Sequence, residues 1–316
     1  LTIENSLIKR SWLWNNGNLI TCKLEDKGNG LAWQLRNNQP DLSLPGEEKE
    51  GSEASIRIEE VPASLQYTHH LRATVEYKAG NLQVRKILKI YPDCPAIACE
   101  LYLKGQASQK WIKALDNPAD LQNIEKLTQN SQGGNVPVME QLMLEGKHWQ
   151  LEAVEFFDVT DRSIRWFVLF MRFLTGIVSI VAICSCREYG EGSWLFMLKE
   201  APASNVQLYY PGGDYLVSEG TFRMVGLGVD SADIKTDEWT KAYSYVTGTF
   251  RSGEKQKRMA LRNYQMRIRP FLEDRDEMVM LNTWGDRGQD TRVNEAFLSE
   301  GIGTGSQVGC HSFPDR

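Results

Sequence analysis

Leu71-Arg72-Ala73-Thr74-Val75-Glu76-Tyr77-Lys78-Ala79-Gly80-Asn81-Leu82-Gln83-Val84-Arg85-Lys86-Ile87-Leu88-Lys89-Ile90-Tyr91 reads as a β-hairpin. Ala73, Val75 and Tyr77 alternate with Thr74, Glu76 and Lys78. That period of two sends one set of side chains to each face of a strand. Gly80-Asn81 turns the chain, Leu82 and Val84 alternate with Gln83 and Arg85, and Ile87 to Tyr91 extends the return strand, leaving one face wet. Turn signals of the same kind recur at Asn15-Asn16-Gly17-Asn18, Lys27-Gly28-Asn29-Gly30, Pro45-Gly46 and Pro211-Gly212-Gly213-Asp214. Many short strands at such spacing predict a sandwich or barrel across residues 11–250. Glu47 to Ser55 is polar and acidic and reads as an exposed loop; Asp120 to Gly134 is open between a short helix and a long loop.

The chain is 316 residues long, enough for about two domains. With 41% hydrophobic residues and nine Trp, it carries enough apolar surface to offset chain entropy, which excludes a disordered polypeptide. Its 36 basic and 41 acidic residues leave a net charge of −5 with no basic block, so nucleic acid is a poor partner and small neutral ligands suit the Trp content better. Cys22, Cys94, Cys99, Cys184, Cys186 and Cys310 match no zinc spacing, and His69, His70, His148 and His311 do not cluster with them. No metal site is expected. In a strand the adjacent His69 and His70 face opposite sides, which disfavours a shared metal; Cys94 and Cys99 are expected in the core. Lys27-Gly28-Asn29-Gly30 lacks the lysine and helix of a nucleotide loop and reads as a hairpin turn. Trp12, Trp14, Trp33, Trp149, Trp194 and Trp239 are expected to be mostly core, although any one could line a sugar cleft. The chain opens on Leu1 with no basic-then-apolar signal, so either a leader has been removed or the sequence starts inside a gene, and export stays open.

After Phe250 the texture changes. Gly253 to Phe271 is rich in helix formers, with Leu261, Tyr264, Ile268 and Phe271 spaced to share one face, and Pro270 should end the helix. Met278 to Leu281 is an apolar run between polar flanks, suited to a strand buried on both sides as in a parallel sheet. Asn282-Thr283-Trp284-Gly285-Asp286-Arg287 follows as a loop, and Asn294 to Leu298 begins a second helical pattern.

Arg275 to Arg287, with Asp290 and Asn294-Glu295-Ala296-Phe297, resembles the first barrel strand of α-galactosidases of glycoside hydrolase family 36, most of all their Bacteroidetes relatives. Phe156-Phe157-Asp158-Val159-Thr160-Asp161-Arg162, Leu198-Lys199-Glu200-Ala201-Pro202, and Trp12 to Trp14 with Asn16-Gly17-Asn18-Leu19 resemble that group's N-terminal domain. The resemblance implies a mainly β chain: a large β-sandwich (supersandwich), a linker helix, and the first strand and helix of a truncated (β/α)8 barrel. It implies removal of terminal α-linked galactose with retention, by one Asp nucleophile and one Asp acid/base on later barrel strands beyond residue 316. No catalytic residue is therefore assigned within the chain, no cofactor is implied, and this chain alone is expected to be inactive. Trp284, just past the first strand on the face where barrel active sites form, is carried over as a substrate contact whose indole stacks on galactose; the alternative is a cap on the barrel core. Asp286 could accept sugar hydroxyls or pair with Arg287. The partner implied is an α-galactoside oligosaccharide; a homo-oligomer is left open, and a periplasmic or secreted location is favoured.

Two segments depart from that pattern. Trp166 to Cys186 carries a single charge, Arg172, and taken blindly is a transmembrane helix. It lies inside a sandwich pattern, however, where the resemblance calls for a polar-alternating strand. The codons for Ile180 to Cys186, read one nucleotide earlier, permit Tyr-Arg-Gly-Asn-Leu-Phe-Val. Those for Gly309 to Arg316, read one nucleotide later, permit Asp-Val-Ile-His-Phe-Gln-Ile-Asp, which resembles a second barrel strand. Residues 163–190 and 299–316 are accordingly read as frame-displaced, and no membrane span is expected. The expected organisation is a sandwich over 1–250, a linker helix over 251–276 and a barrel start over 277–316. Three other readings stay open: a non-catalytic carbohydrate-binding sandwich module, an α-N-acetylgalactosaminidase, and a membrane-anchored β protein spanning at Trp166 to Cys186.

Overall fold

The computed structural model describes residues 1–36, 38–111, 136–144, 149–155, 165–171, 178–180, 183–188, 192–201, 215–218 and 221–277, with isolated helical positions at 295, 296 and 299. In chain order the strands are β1 (Thr2–Glu4), β2 (Ile8–Leu13), β3 (Ile20–Asp26), β4 (Leu31–Gln34), β5 (Ser52–Val61), β6 (His70–Ala79), β7 (Leu82–Ile90), β8 (Ala96–Gly105) and β9 (Val138–Met143). They continue as β10 (Trp149–Glu155), β11 (Arg165–Met171), β12 (Val178–Ile180), β13 (Ile183–Glu188), β14 (Ser193–Glu200), β15 (Tyr215–Ser218), β16 (Thr221–Val225), β17 (Thr240–Lys241) and β18 (Ser244–Arg251). Helices α1 (Glu254–Ile268) and α2 (Glu273–Asp276) follow.

All described strand pairings are antiparallel. They build a ten-stranded sheet in the order β11-β10-β13-β14-β18-β8-β7-β6-β5, with β17 beside β8, and two four-stranded sheets, β1-β2-β3-β4 and β12-β15-β16-β9. The two small sheets touch through the bridges Leu35↔Leu144 and Ser43↔Val138. One continuous apolar core joins them to the large sheet: Ile8, Trp12 and Leu24 from the first, Met139, Phe222 and Met224 from the other, Val75, Val84 and Leu101 from the large one. Each such side chain, fully buried, contributes roughly 1.5–3 kcal/mol. A mainly β, sandwich-like architecture is what the alternation predicts.

The deciding hairpin forms as read. Tyr77 pairs with Val84 and Ala79 with Leu82, around Gly80 at φ 57°. Ala73, Val75, Tyr77, Leu82, Val84 and Leu88 are buried on one face. Lys86 breaks the pattern, since it occupies an inward position and is just 1% exposed. The turns at Asn15–Asn18, Lys27–Gly30 and Pro45-Gly46 also form. At the first of these, Gly17 has φ 95°, and a Cβ there would lie 2.6 Å from that of Tyr77, so a side chain is excluded twice over. The reading of Glu47 to Ser55 as a loop is corrected, because Ser52–Ser55 opens strand β5. Seven of that edge strand's ten positions are exposed, Ile56 and Ile58 among them, so its short apolar alternation does not mark a buried face.

The opposite face of the large sheet is covered by α1. Ala260 and Tyr264 pack on Tyr91, Ala96, Ala98, Phe196, Val246 and Phe250, with Leu261 partly buried beside them. Strands β14 and β18 are thus buried on both faces and lose their alternation. The buried line of α1 is Lys257, Ala260 and Tyr264 rather than Leu261, Tyr264, Ile268 and Phe271. Ile268 is 39% exposed, and Phe271 lies past the helix end at 61%. Small Ala260 allows close approach to the sheet, and an ion pair of Lys257 with Glu152 on β10 fixes the rotation.

The described parts of Trp166 to Cys186 are strands and not helix: they belong to β11, β12 and β13, each paired antiparallel. Among the described residues no helix is long and apolar enough to cross a membrane. The Asp120–Gly134 segment, Pro211–Asp214 and the Met278–Leu281 strand all lie outside the described residues, as do Phe156–Arg162.

Candidate functional site

Trp284 and Asp286, the two positions expected to touch sugar, lie outside the described residues. The described residues gather a different constellation, a wholly buried set of charges where the three sheets meet. Strand β2 supplies Arg10 and Trp12, β3 supplies Thr21, the chain after β4 supplies Asp41, β7 supplies Lys86, β9 supplies Glu140 and β18 supplies Tyr245. Alternation explains the placement: Arg10 sits two residues from Ile8 and from Trp12, and all three point inward.

The Arg10 guanidinium donates to Thr21 Oγ1 at 2.6 Å, to Asp41 Oδ2 at 3.1 Å and to Glu140 Oε1. Asp41 also accepts from Trp12 Nε1 at 2.9 Å, from the Thr21 backbone N–H at 2.8 Å and from the Thr21 hydroxyl at 2.5 Å. Glu140 Oε2 accepts from the Tyr245 hydroxyl, with Lys86 Nζ 3.8 Å away. Two cations thus balance two anions. Burial opposes the charge on Arg10, yet the Glu140 and Asp41 carboxylates outweigh it and hold the guanidinium protonated. For Asp41, burial and the neighbouring Glu140 push the pKa up to about 6 against the pull of Arg10 and Lys86. Each of the four carboxylate oxygens accepts a hydrogen bond, and none reaches solvent. Such a group can neither attack nor protonate a substrate; it clamps three sheets together.

Among the described residues, solvent-facing aromatics are few. Of the six Trp singled out, Trp12, Trp33, Trp149 and Trp194 are core, in keeping with the expectation. Trp14 is 41% exposed beside the Asn15–Asn18 turn. Trp239 is half-buried, with the Arg85 guanidinium 4.1 Å and the Lys104 ammonium 5.4 Å from its ring centroid. Trp14 therefore offers the freer stacking surface. His69 and His70 do separate: His70 is buried, while His69 is half-buried and meets Glu60 at 2.6 Å. Cys94 and Cys99 are core thiols, each pushed up to about 11 by burial. No cluster of potential metal ligands occurs among the described residues.

Neither a family profile nor a curated protein matches the chain. Solved structures do. An α-galactosidase from Lactobacillus brevis aligns over 99% of this chain and 48% of its own, with 12% identity and a TM-score of 0.57. A GH36 α-galactosidase from Geobacillus stearothermophilus, in complex with 1-deoxygalactonojirimycin, aligns over 99% and 49%, with 11% identity and a TM-score of 0.55. A second Geobacillus stearothermophilus GH36 enzyme aligns over 99% and 48%, with 12% identity and a TM-score of 0.55. The chain spans about half the length of these structures. At such identities the likeness is one of fold: this chain folds as about half of a GH36 α-galactosidase does.

Proposed function

We propose that this chain is the sandwich portion and barrel start of a retaining glycoside hydrolase that removes terminal α-linked galactose from oligosaccharides. One observation carries the reading: a fold shared along 99% of the chain with an α-galactosidase about twice its length. Two variants of one Geobacillus stearothermophilus enzyme of this fold are found in complex with raffinose and with stachyose, which points to α-galactosyl oligosaccharides as the substrate class. In the proposal the chemistry belongs to two Asp carboxylates encoded beyond residue 316, roughly 5–5.5 Å apart as retention requires. One attacks the anomeric carbon while the other protonates the leaving oxygen and then activates water. Trp284 stacks on the galactose ring and Asp286 accepts its hydroxyls.

The test is to sequence the encoding DNA through the codons of residues 160–190 and 296–316 and onward, and to express both forms. The 316-residue chain should release no nitrophenol from an α-galactoside chromogenic substrate, whereas the extended product should. Turnover by the pure short chain would show the carboxylates misplaced. A second reading, a non-catalytic sugar-binding sandwich, is favoured by exposed Trp14. Downstream DNA without the Asp pair, together with galactoside binding lost in Trp14→Ala, would select it.

A further inference from the structure

Strand β5 ends the ten-stranded sheet, and among the described residues no strand pairs with its outer edge. Its ten residues run about 33 Å. Ile56 lies opposite Val75 and Ile58 opposite Ala73, so both isoleucines share the face that carries the core. Val75 and Ala73 are buried there, yet Ile56 is 41% and Ile58 64% exposed, with Leu71 on β6 at 46%. An uncovered apolar stripe beside unpaired backbone donors and acceptors is a template for one more strand.

The charges on β5 select which strand. When two copies of β5 pair antiparallel about a two-fold axis, residues pair symmetrically about a central position. An axis at Arg57 opposes two guanidiniums, one at Glu59 two carboxylates, and one at Ile56 sets Glu53 against Glu59. An axis at Ser55 draws in Ser52–Ser55, where the register with β6 breaks and Glu53 has φ 50°. An axis at Ile58 sets Ile58 on its own copy and Arg57 opposite Glu59 twice, with Ile56 facing Glu60. Arg57 is 71% exposed and already lies 3.4 Å from Glu59 of its own strand, so it can exchange that partner for the one across the axis.

We infer that the chain forms a symmetric dimer by antiparallel pairing of β5 about Ile58, which joins two ten-stranded sheets into one. The inference is independent of the glycosidase reading. Sedimentation velocity on the 316-residue chain tests it, with far-UV circular dichroism confirming that each variant folds. A concentration-dependent dimer is expected. Arg57→Glu and Glu59→Arg should each weaken it about tenfold or more, and the double exchange should restore it. Ile58→Lys should leave a monomer. A wild-type chain that stays monomeric at its highest soluble concentration overturns the inference. So does a dimer that none of these variants alters, or a monomer that takes up an extended foreign peptide along β5 instead.

Discussion

Arg10 shows what a single inward charge does in a β core. It is 2% exposed and holds Asp41, Glu140 and Thr21 from three other segments. Arg10→Met would leave two buried carboxylates with Lys86 as their remaining cation, a loss of about 3–5 kcal/mol in urea unfolding. A change below about 1 kcal/mol would show that the carboxylates simply take up protons. This cluster was legible in part: Arg10 between Ile8 and Trp12, and Lys86 between Val84 and Leu88, both stand at core positions of alternating strands. Asp41 was not, because it sits in irregular chain where no period announces an inward side chain. At the sheet surface Glu100 illustrates the opposite balance. Burial would raise its pKa, but the Lys89 hydrogen bond at 2.6 Å and the charges of Lys89 and Lys241 bring it below 4.5. A depressed carboxylate adds stability above its unfolded pKa and loses it as pH falls through the folded value. Lys89→Ala should therefore destabilise at neutral pH, with the difference from wild type shrinking as pH falls below 4.5. A difference independent of pH would assign the effect of Lys89 to packing.

Among the elements, the hairpin β6–β7 was readable because one face is wet and one dry. Strands β14 and β18 were hidden because α1 covers the face that would otherwise carry polar residues. The helix itself was legible in its formers and in Pro270. Its contact line was not, because the sheet admits small Ala260 more closely than Leu261 or Ile268. The same close packing fixes Gly248 on β18, where a Cβ would lie 2.4 Å from the Phe196 ring and 2.6 Å from the Pro95 carbonyl oxygen. Gly248→Ala should cost about 1–3 kcal/mol, read from the shift in denaturation midpoint. Full tolerance would mean that Phe196 has a second rotamer available under α1. Trp284 lies outside the described residues, so its role rests on resemblance.

At the scale of the molecule, the three sheets share one apolar core and one ionic clamp, and neither can be divided between them. Removing the β1–β4 sheet would uncover part of the shared core and strand Glu140 without Arg10, so no sheet keeps that core alone, although the large sheet also holds a second cluster under α1. The described sandwich should accordingly unfold as a unit. Tryptophan fluorescence, which reports Trp12 and Trp33 in the first small sheet and Trp194 in the large one, should trace the same urea curve as far-UV circular dichroism. Hydrogen exchange offers the finer test: amides of β2, β7, β9 and β18, which surround the clamp, should open with one common free energy, and α1 with the same or a lower one. An early separate transition of the first small sheet would mean that Arg10 and Asp41 part at little cost, and that the clamp follows the packing of the sheets and does not hold them.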